Sequence, residues 1–386
     1  MIIDVNKLSK VKRLMITAIK ECPDVDEIKE TSQSELFDMK KLYSIGQEHE
    51  VIPILFQIFR DAGLPLSDKW GRIYQFEKNR IAGYFDEIHK IGKTASENGI
   101  EFILLKNGSI AEHFIDDYGK CPMGDIDVMC REEDFTDLHR IILSKGFELN
   151  FRNPNEMETE EYIESAGTAE YFKQLDTGDM WLEISTRSVS GRWIRPDQEP
   201  DTRYLFKRSK RITDGIRVLD DTDNLLQVAL HTAKHSYVRA PGLRLHLDVE
   251  RIVRHGSIDW EYFTEKCLEL RVKTPVYFSL LIPRILFNTP IPANVLNALR
   301  PSSVHYRYIS SVLRRVSLFG PHDTKFSKFS FAVFQIMLYD SIKEIAGLIF
   351  PDKSYMQRQY KTHNHFSLFI AYIKRLSDIF MRKLMI

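Results

Sequence analysis

Two aspartates one residue apart, in the run Met123-Gly124-Asp125-Ile126-Asp127-Val128-Met129, are the residues whose types and spacing point most directly to chemistry. On a strand, side chains at i and i+2 leave the same face. Asp125 and Asp127 therefore project together while Ile126 and Val128 face a core. Two carboxylates held side by side repel each other unless a proton or a cation lies between them. A second run, Trp181-Leu182-Glu183-Ile184, repeats the alternation and puts Glu183 on one face with Trp181. Three carboxylates converging from neighbouring strands make a hard oxygen site suited to Mg²⁺. Upstream, Lys106-Asn107-Gly108-Ser109 supplies a Gly-Ser turn able to hold a phosphate, and the combination suits nucleotidyl transfer. An isolated Asp-x-Asp is common and is usually a strand-end pair capping a turn. The surrounding order favours the catalytic reading: strand, Gly-Ser turn, helix, Asp-x-Asp strand, helix, strand, Glu strand.

The elements that must position these groups are legible from periodicity. Residues 1–98 read as an N-terminal helical region, with Leu14, Ile16 and Ile19 and then Leu36, Met39, Leu42 and Ile45 at helical spacing. Val51 to Leu55 opens another helix with Pro53 in its first turn. A long stripe from Ile73 to Ile91 stops near Glu97-Asn98-Gly99. Residues 99–220 change texture. Ile100–Leu105 reads as a strand ending in the Lys106–Ser109 turn, a helix starts at Ala111, and Glu132–Lys145 is an amphipathic helix. Phe147-Glu148-Leu149 starts a strand, runs 169–175 and 180–185 flank Asp176-Thr177-Gly178-Asp179 as a hairpin, and Arg217-Val218-Leu219 is a last short strand. Residues 221–386 turn helical again. The expected fold class is α+β, a small mixed β-sheet core flanked by N-terminal and C-terminal helical regions that pack on it.

Composition narrows the class of function. The 386 residues are 43% hydrophobic and 28% charged with zero formal net charge, so no overall field recruits nucleic acid or a membrane. Cys22, Cys121, Cys130 and Cys267 show neither Cys-x-x-Cys spacing nor a disulfide framework. The first residues lack a signal-peptide pattern, and no run of about 18 apolar residues is uninterrupted. The expectation is a soluble, reduced, cytoplasmic protein with no membrane partner. Residues 351–386 are the exception in charge, with seven Lys or Arg against two Asp, a net +5, interleaved with aromatics. They read as a terminal helix with a solvated basic face and an aromatic core face, or alternatively as a docking surface for a polyanionic partner such as RNA.

The chain resembles the bacterial uncharacterised nucleotidyltransferase family, a branch of the DNA polymerase β-like nucleotidyltransferases. The resemblance rests on Leu104-Leu105-Lys106-Asn107-Gly108, Pro122-Met123-Gly124-Asp125-Ile126-Asp127, Trp181-Leu182-Glu183-Ile184 and, more weakly, His231-Thr232-Ala233-Lys234-His235 followed by Arg244-Leu245-His246-Leu247-Asp248. It implies one or two Mg²⁺ ions held by Asp125, Asp127 and Glu183, with Glu183 alternatively the acceptor's general base. It also implies an NTP held by Lys106, Gly108, Ser109 and Lys120, an unknown acceptor (small molecule, peptide, protein or RNA), and His231 and His235 on the acceptor side. His231 and His235 share a helix face, but Thr232 rules out a His-Glu-x-x-His site. Asp248 reads as a structural partner. Two departures stand out: Asn107 lies between the lysine and Gly108, and Cys121 with Lys120 stands where the family tends to carry arginine. They motivate an alternative, a catalytically inactive relative that binds nucleotide or a partner.

Overall fold

A computed structural model describes residues 2–33, 37–150, 168–189, 194–239, 241–320, 325–351, 353–360, 362 and 364–382. Five helices come first: α1 (Lys10–Ile19), α2 (Val25–Ser32), α3 (Met39–Glu48), α4 (Ile52–Asp61) and α5 (Asp68–Glu97). Asp24 and Asp38 cap α2 and α3 by accepting the Glu27 and Lys41 amides, Pro53 sits in the first turn of α4, and α5 stops at Asn98.

Seven strands then form one mixed sheet in the order β3-β4-β5-β2-β1-β7-β6. They are β1 (Phe102–Leu104), β2 (Ile126–Cys130), β3 (Glu148–Asn150), β4 (Thr168–Leu175), β5 (Gly178–Ser185), β6 (Lys210–Thr213) and β7 (Ile216–Val218). β2 runs parallel to β5 and antiparallel to β1, which in turn runs parallel to β7. Among the described residues, three α-helices are threaded between strands: α6 (Lys106–Phe114), α7 (Phe135–Ser144) and α8 (Thr202–Arg208).

Strand alternation separates the sheet's two faces. Phe102, Leu104, Ile126, Val128, Leu182, Ile184, Ile216 and Val218 join one continuous core with Ile81, Tyr84, Phe85 and Ile88 of α5. The residues between them, Ile103, Leu105 and Met129, pack instead with Leu205 and Phe206 of α8 in a separate small cluster. The α5 helix lies close on β7 because position 92 is glycine: a Cβ there would come within 2.7 Å of the Asp214 carbonyl oxygen.

The C-terminal region is helical, from α9 (Asp221–Lys234), α10 (Gly242–His255), α11 (Trp260–Glu269) and α12 (Lys273–Phe287) to α13 (Ala293–Ala298), α14 (Ser303–Val316), α15 (Lys328–Ile336), α16 (Ile342–Ile349), α17 (Lys353–Tyr360) and α18 (His365–Arg382). Helices α9, α10 and α12 contribute Leu225, Leu226, Leu243, Leu247, Val276 and Phe278 to the same core as the sheet. The α+β class expected from the sequence is the one observed. No helix among the described residues is long and apolar enough to cross a membrane.

Two local expectations are corrected. Residues 106–109 are the first turn of α6, not a turn ahead of a helix at Ala111; Lys106 absorbs the change of direction with a left-handed φ of 51°. Of the aromatics expected on the core face of the terminal helix, Phe366 and Phe369 of α18 are exposed and Tyr372 is half-buried, while the Phe380 side chain lies outside the described residues.

Candidate active site

Parallel pairing of β2 with β5 sets Asp127 directly opposite Glu183. Asp125 stands immediately ahead of β2, and the pairing begins with Ile126 opposite Leu182. Asp127 is buried, Glu183 half-buried and Asp125 exposed, so the carboxylates grade from the sheet surface to solvent. The strand end is pinned where the Leu105 amide donates to the Asp127 carbonyl at 2.9 Å. One residue on, Lys106 turns back and its ammonium pairs with Asp127 Oδ1. Thr168 of β4 donates to Glu183 Oε1 at 3.4 Å.

The charges here are unbalanced. Burial pushes the Asp127 carboxyl up to about 6, the charges of Asp125 and Glu183 push the same way, and Lys106 opposes them. Burial alone would lower the Lys106 ammonium, but Asp127, Glu183 and Asp125 together hold it above its ordinary value. Asp127 is thus raised mainly by its burial, against the pull of the Lys106 ammonium it bonds, while the same carboxylates hold that ammonium charged. Such a perturbed cluster in a cleft is a mark of a functional site.

The segment that delivers Asp125 is held by its carbonyls. Arg251 of α10 donates to the Lys120 carbonyl at 2.7 Å, Arg244 of α10 to that of Pro122, and Arg80 of α5 to that of Met123 at 2.7 Å. Each guanidinium also meets a carboxylate: Glu21 at 2.8 Å for Arg251, Glu50 at 3.2 Å for Arg244, and Glu77 for Arg80. Planar, multidentate arginines suit this bridging role. Sequence reasoning missed Arg80 and Arg251, because the carbonyls they hold lie 43 and 131 residues away.

Of the residues expected to hold nucleotide, Lys106 lies among the carboxylates and Gly108 lies in the first turn of α6, where helical amides have no carbonyl four residues back. A Cβ at Gly108 would make only ordinary contacts of 3.7 Å with Ile126 and Leu104. Ser109 is fully buried; its amide donates to the Leu105 carbonyl at 3.3 Å and its hydroxyl accepts from Asn224 at 3.3 Å. Lys120 is exposed, and the cation against Asp127 is Lys106. Asn107 and Cys121, the two departures, touch each other: the Cys121 thiol donates to the Asn107 carbonyl at 3.7 Å. The Asn107 amide group donates to both oxygens of buried Asp248, at 3.2 and 3.3 Å. Burial pushes the Cys121 thiol up to about 11, with Arg251 and Arg244 among the charges it feels. Asp248, expected as a salt-bridge partner, accepts instead from the Asn107 amide group.

His231 and His235 stack edge-on at 4.7 Å near the end of α9. Shielding by the protein lowers both, His235 to about 4, and Lys106 is among the charges lowering each. The lowering favours the neutral imidazole at both positions. Beside Asp125 opens a concavity of about 460 Å³, lined by Phe76, Arg80 and Tyr84 of α5, by Gly124, and by Gly178, Asp179 and Trp181 of β5.

No curated protein and no solved structure matches this chain. A family model does, over residues 35–288, from ahead of α3 through the sheet to the end of α12. The chain belongs to the uncharacterised nucleotidyltransferase family.

Proposed function

We propose that this protein is a Mg²⁺-dependent nucleotidyltransferase that moves a nucleoside monophosphate from an NTP to an acceptor hydroxyl or phosphate. The observation that carries the reading is the in-register pair Asp127 and Glu183, with Asp125 two residues ahead of Asp127 and the Lys106 ammonium on Asp127. This donor set fits Mg²⁺, which prefers carboxylate oxygens and keeps several waters. Among the described residues no three acidic, His or Cys side chains are already closed around a point, and the Lys106 ammonium bonds Asp127. Asp125, Asp127 and Glu183 would hold the metal, which when bound supplies charge neutralisation at the triphosphate and lowers the pKa of the acceptor hydroxyl.

The chain's own groups do the rest. Lys106, released from Asp127, would pair with the triphosphate, and the leading amides of α6 would meet phosphate oxygens at the positive end of the helix. Glu183 would take the acceptor proton as its oxygen bonds to the α-phosphorus and the bond to the departing pyrophosphate breaks. The concavity beside Asp125 offers the acceptor a seat away from α6, on the Trp181 side. Neutral His231 and His235 would accept or donate single hydrogen bonds to the acceptor without adding charge. Four free cysteines, three of them buried, agree with a reducing cytoplasm.

Calorimetric titration of the four NTPs with and without Mg²⁺ tests this, on wild type and on Asp125→Asn/Asp127→Asn. Metal-dependent binding of one NTP, lost in the double variant, is expected. Metal-independent binding that survives the substitutions would overturn the reading, and tight binding without turnover over many acceptors would favour the non-catalytic alternative.

A further inference from the structure

The first half of helix α18 turns its apolar stripe outward. Phe366, Phe369, Ile370 and Ile373 recur at i, i+3, i+4 and i+7 and form one stripe, yet they are 74%, 63%, 48% and 52% exposed. On the other side of the same helix Ala371 is buried, Arg375 is half-buried, and the Tyr372 hydroxyl donates to the Pro351 carbonyl at 2.6 Å. An ordinary surface helix turns its apolar stripe inward. Here the stripe faces out, with exposed His365 and Lys374 beside it and exposed Phe350 near Tyr372, the two rings 6.3 Å apart.

We propose that this stripe lies on an anionic lipid surface, with α18 in the plane of the headgroups. Three observations select that occupant. Residues 351–386 carry seven Lys or Arg and two Asp in a chain of zero net charge, so the segment attracts anionic headgroups. That charge also disfavours a second copy, because a two-fold contact through this stripe would bring two segments of net +5 together. Taking roughly 200 Å² for each large side chain, the four expose about 450 Å², short of the ~800 Å² per partner of a standard protein interface. A bilayer sets no such minimum and accepts a single amphipathic helix. No described helix can span a membrane, so the contact is peripheral. This departs from the expectation of no membrane partner, and it is independent of the transfer chemistry.

Sedimentation of the full chain with vesicles tests it, using neutral phosphatidylcholine alone and the same lipid with about 30% phosphatidylglycerol. Binding to the anionic vesicles should exceed binding to neutral ones by roughly tenfold and weaken as salt rises. Phe369→Glu/Ile373→Glu should return it to the neutral level, with the circular dichroism melt reporting that the fold survives. Lys353→Glu/Lys374→Glu, which leaves the stripe intact, should cut the anionic preference and its salt dependence. No binding by wild type, equal binding to both vesicles, or a dimer in solution that the Phe369→Glu/Ile373→Glu variant dissociates would each overturn the proposal.

Discussion

The strand pair β2 and β5 and the terminal helix α18 break the same rule in opposite directions. At the strands, carboxylates that belong in water are drawn together, and Asp127 is buried under a lysine. On α18, phenylalanines that belong in a core stand in water. Burying charge without enough counter-charge costs stability, and exposing a continuous apolar stripe gives up burial energy. Both regions forgo stability that a neighbouring residue choice would recover. The contrast also separates two kinds of surface: a concave one that gathers charge from distant segments, and a convex one made by a single helix.

The comparison can be broken most decisively at Asp127. Asp127→Asn should reduce pyrophosphate release by about a thousandfold or more, since it removes an anion that the proposed transfer relies on to hold the metal. The same variant should be more stable than wild type at pH 7 by roughly 1–2 kcal/mol in urea, because an acid pushed up to about 6 is destabilising when ionised. An Asn variant that is both active and less stable would remove the argument for strain at the strands.

Removing a positioning group should act on stability in the other direction. Arg251 is almost wholly buried and joins Glu21 to the Lys120 carbonyl. Arg251→Ala should cost about 3–5 kcal/mol in a urea melt, because it strands Glu21 and an unpaired carbonyl. Asn107→Gly, which restores the family's usual residue beside the lysine, should cost less, about 1–2 kcal/mol, by leaving buried Asp248 without its amide donors.

The pH dependence sharpens the same contrast. A carboxyl whose folded pKa lies above its unfolded value binds more protons in the folded state between the two, so its contribution to stability falls as pH rises from about 4 to about 6. Mg²⁺ affinity should move oppositely, weakening below about pH 6 as Asp127 takes up a proton. Titration calorimetry across that range, compared with Asp127→Asn, reads both. The smallest effect belongs to α18: Phe369→Glu should change stability by less than about 0.5 kcal/mol, because the side chain contributes little burial. A large loss in a thermal melt would mean the stripe packs on the protein after all.

Much of the site was legible before any coordinates. Alternation in Asp125-Ile126-Asp127 and Trp181-Leu182-Glu183 marks which side chains are expected to share a face, and the strand register sets Asp127 against Glu183. The helix stop at Asn98 and the hairpin across Asp176–Asp179 follow from local turn chemistry. Strand β6 and helix α8 were not legible: Lys210–Thr213 is short and polar, and Leu205 and Phe206 acquire meaning only by covering Ile103, Leu105 and Met129. The start of α6 was misplaced because a left-handed lysine is an uncommon way into a helix, imposed by the strand before it.

The sequence by itself determined the periodic elements, the α+β class, the alternation around Asp127 and Glu183 and the basic, aromatic character of the end of the chain. All of these depend on residues within a few positions of one another. Only the tertiary structure decided that Lys106 is the cation on Asp127, that Arg80, Arg244 and Arg251 hold the carbonyls leading into β2, that the Cys121 thiol meets the Asn107 carbonyl, and that the α18 stripe faces out. Those outcomes depend on which groups are desolvated together, and burial is a property of the packed chain, with no counterpart in local spacing.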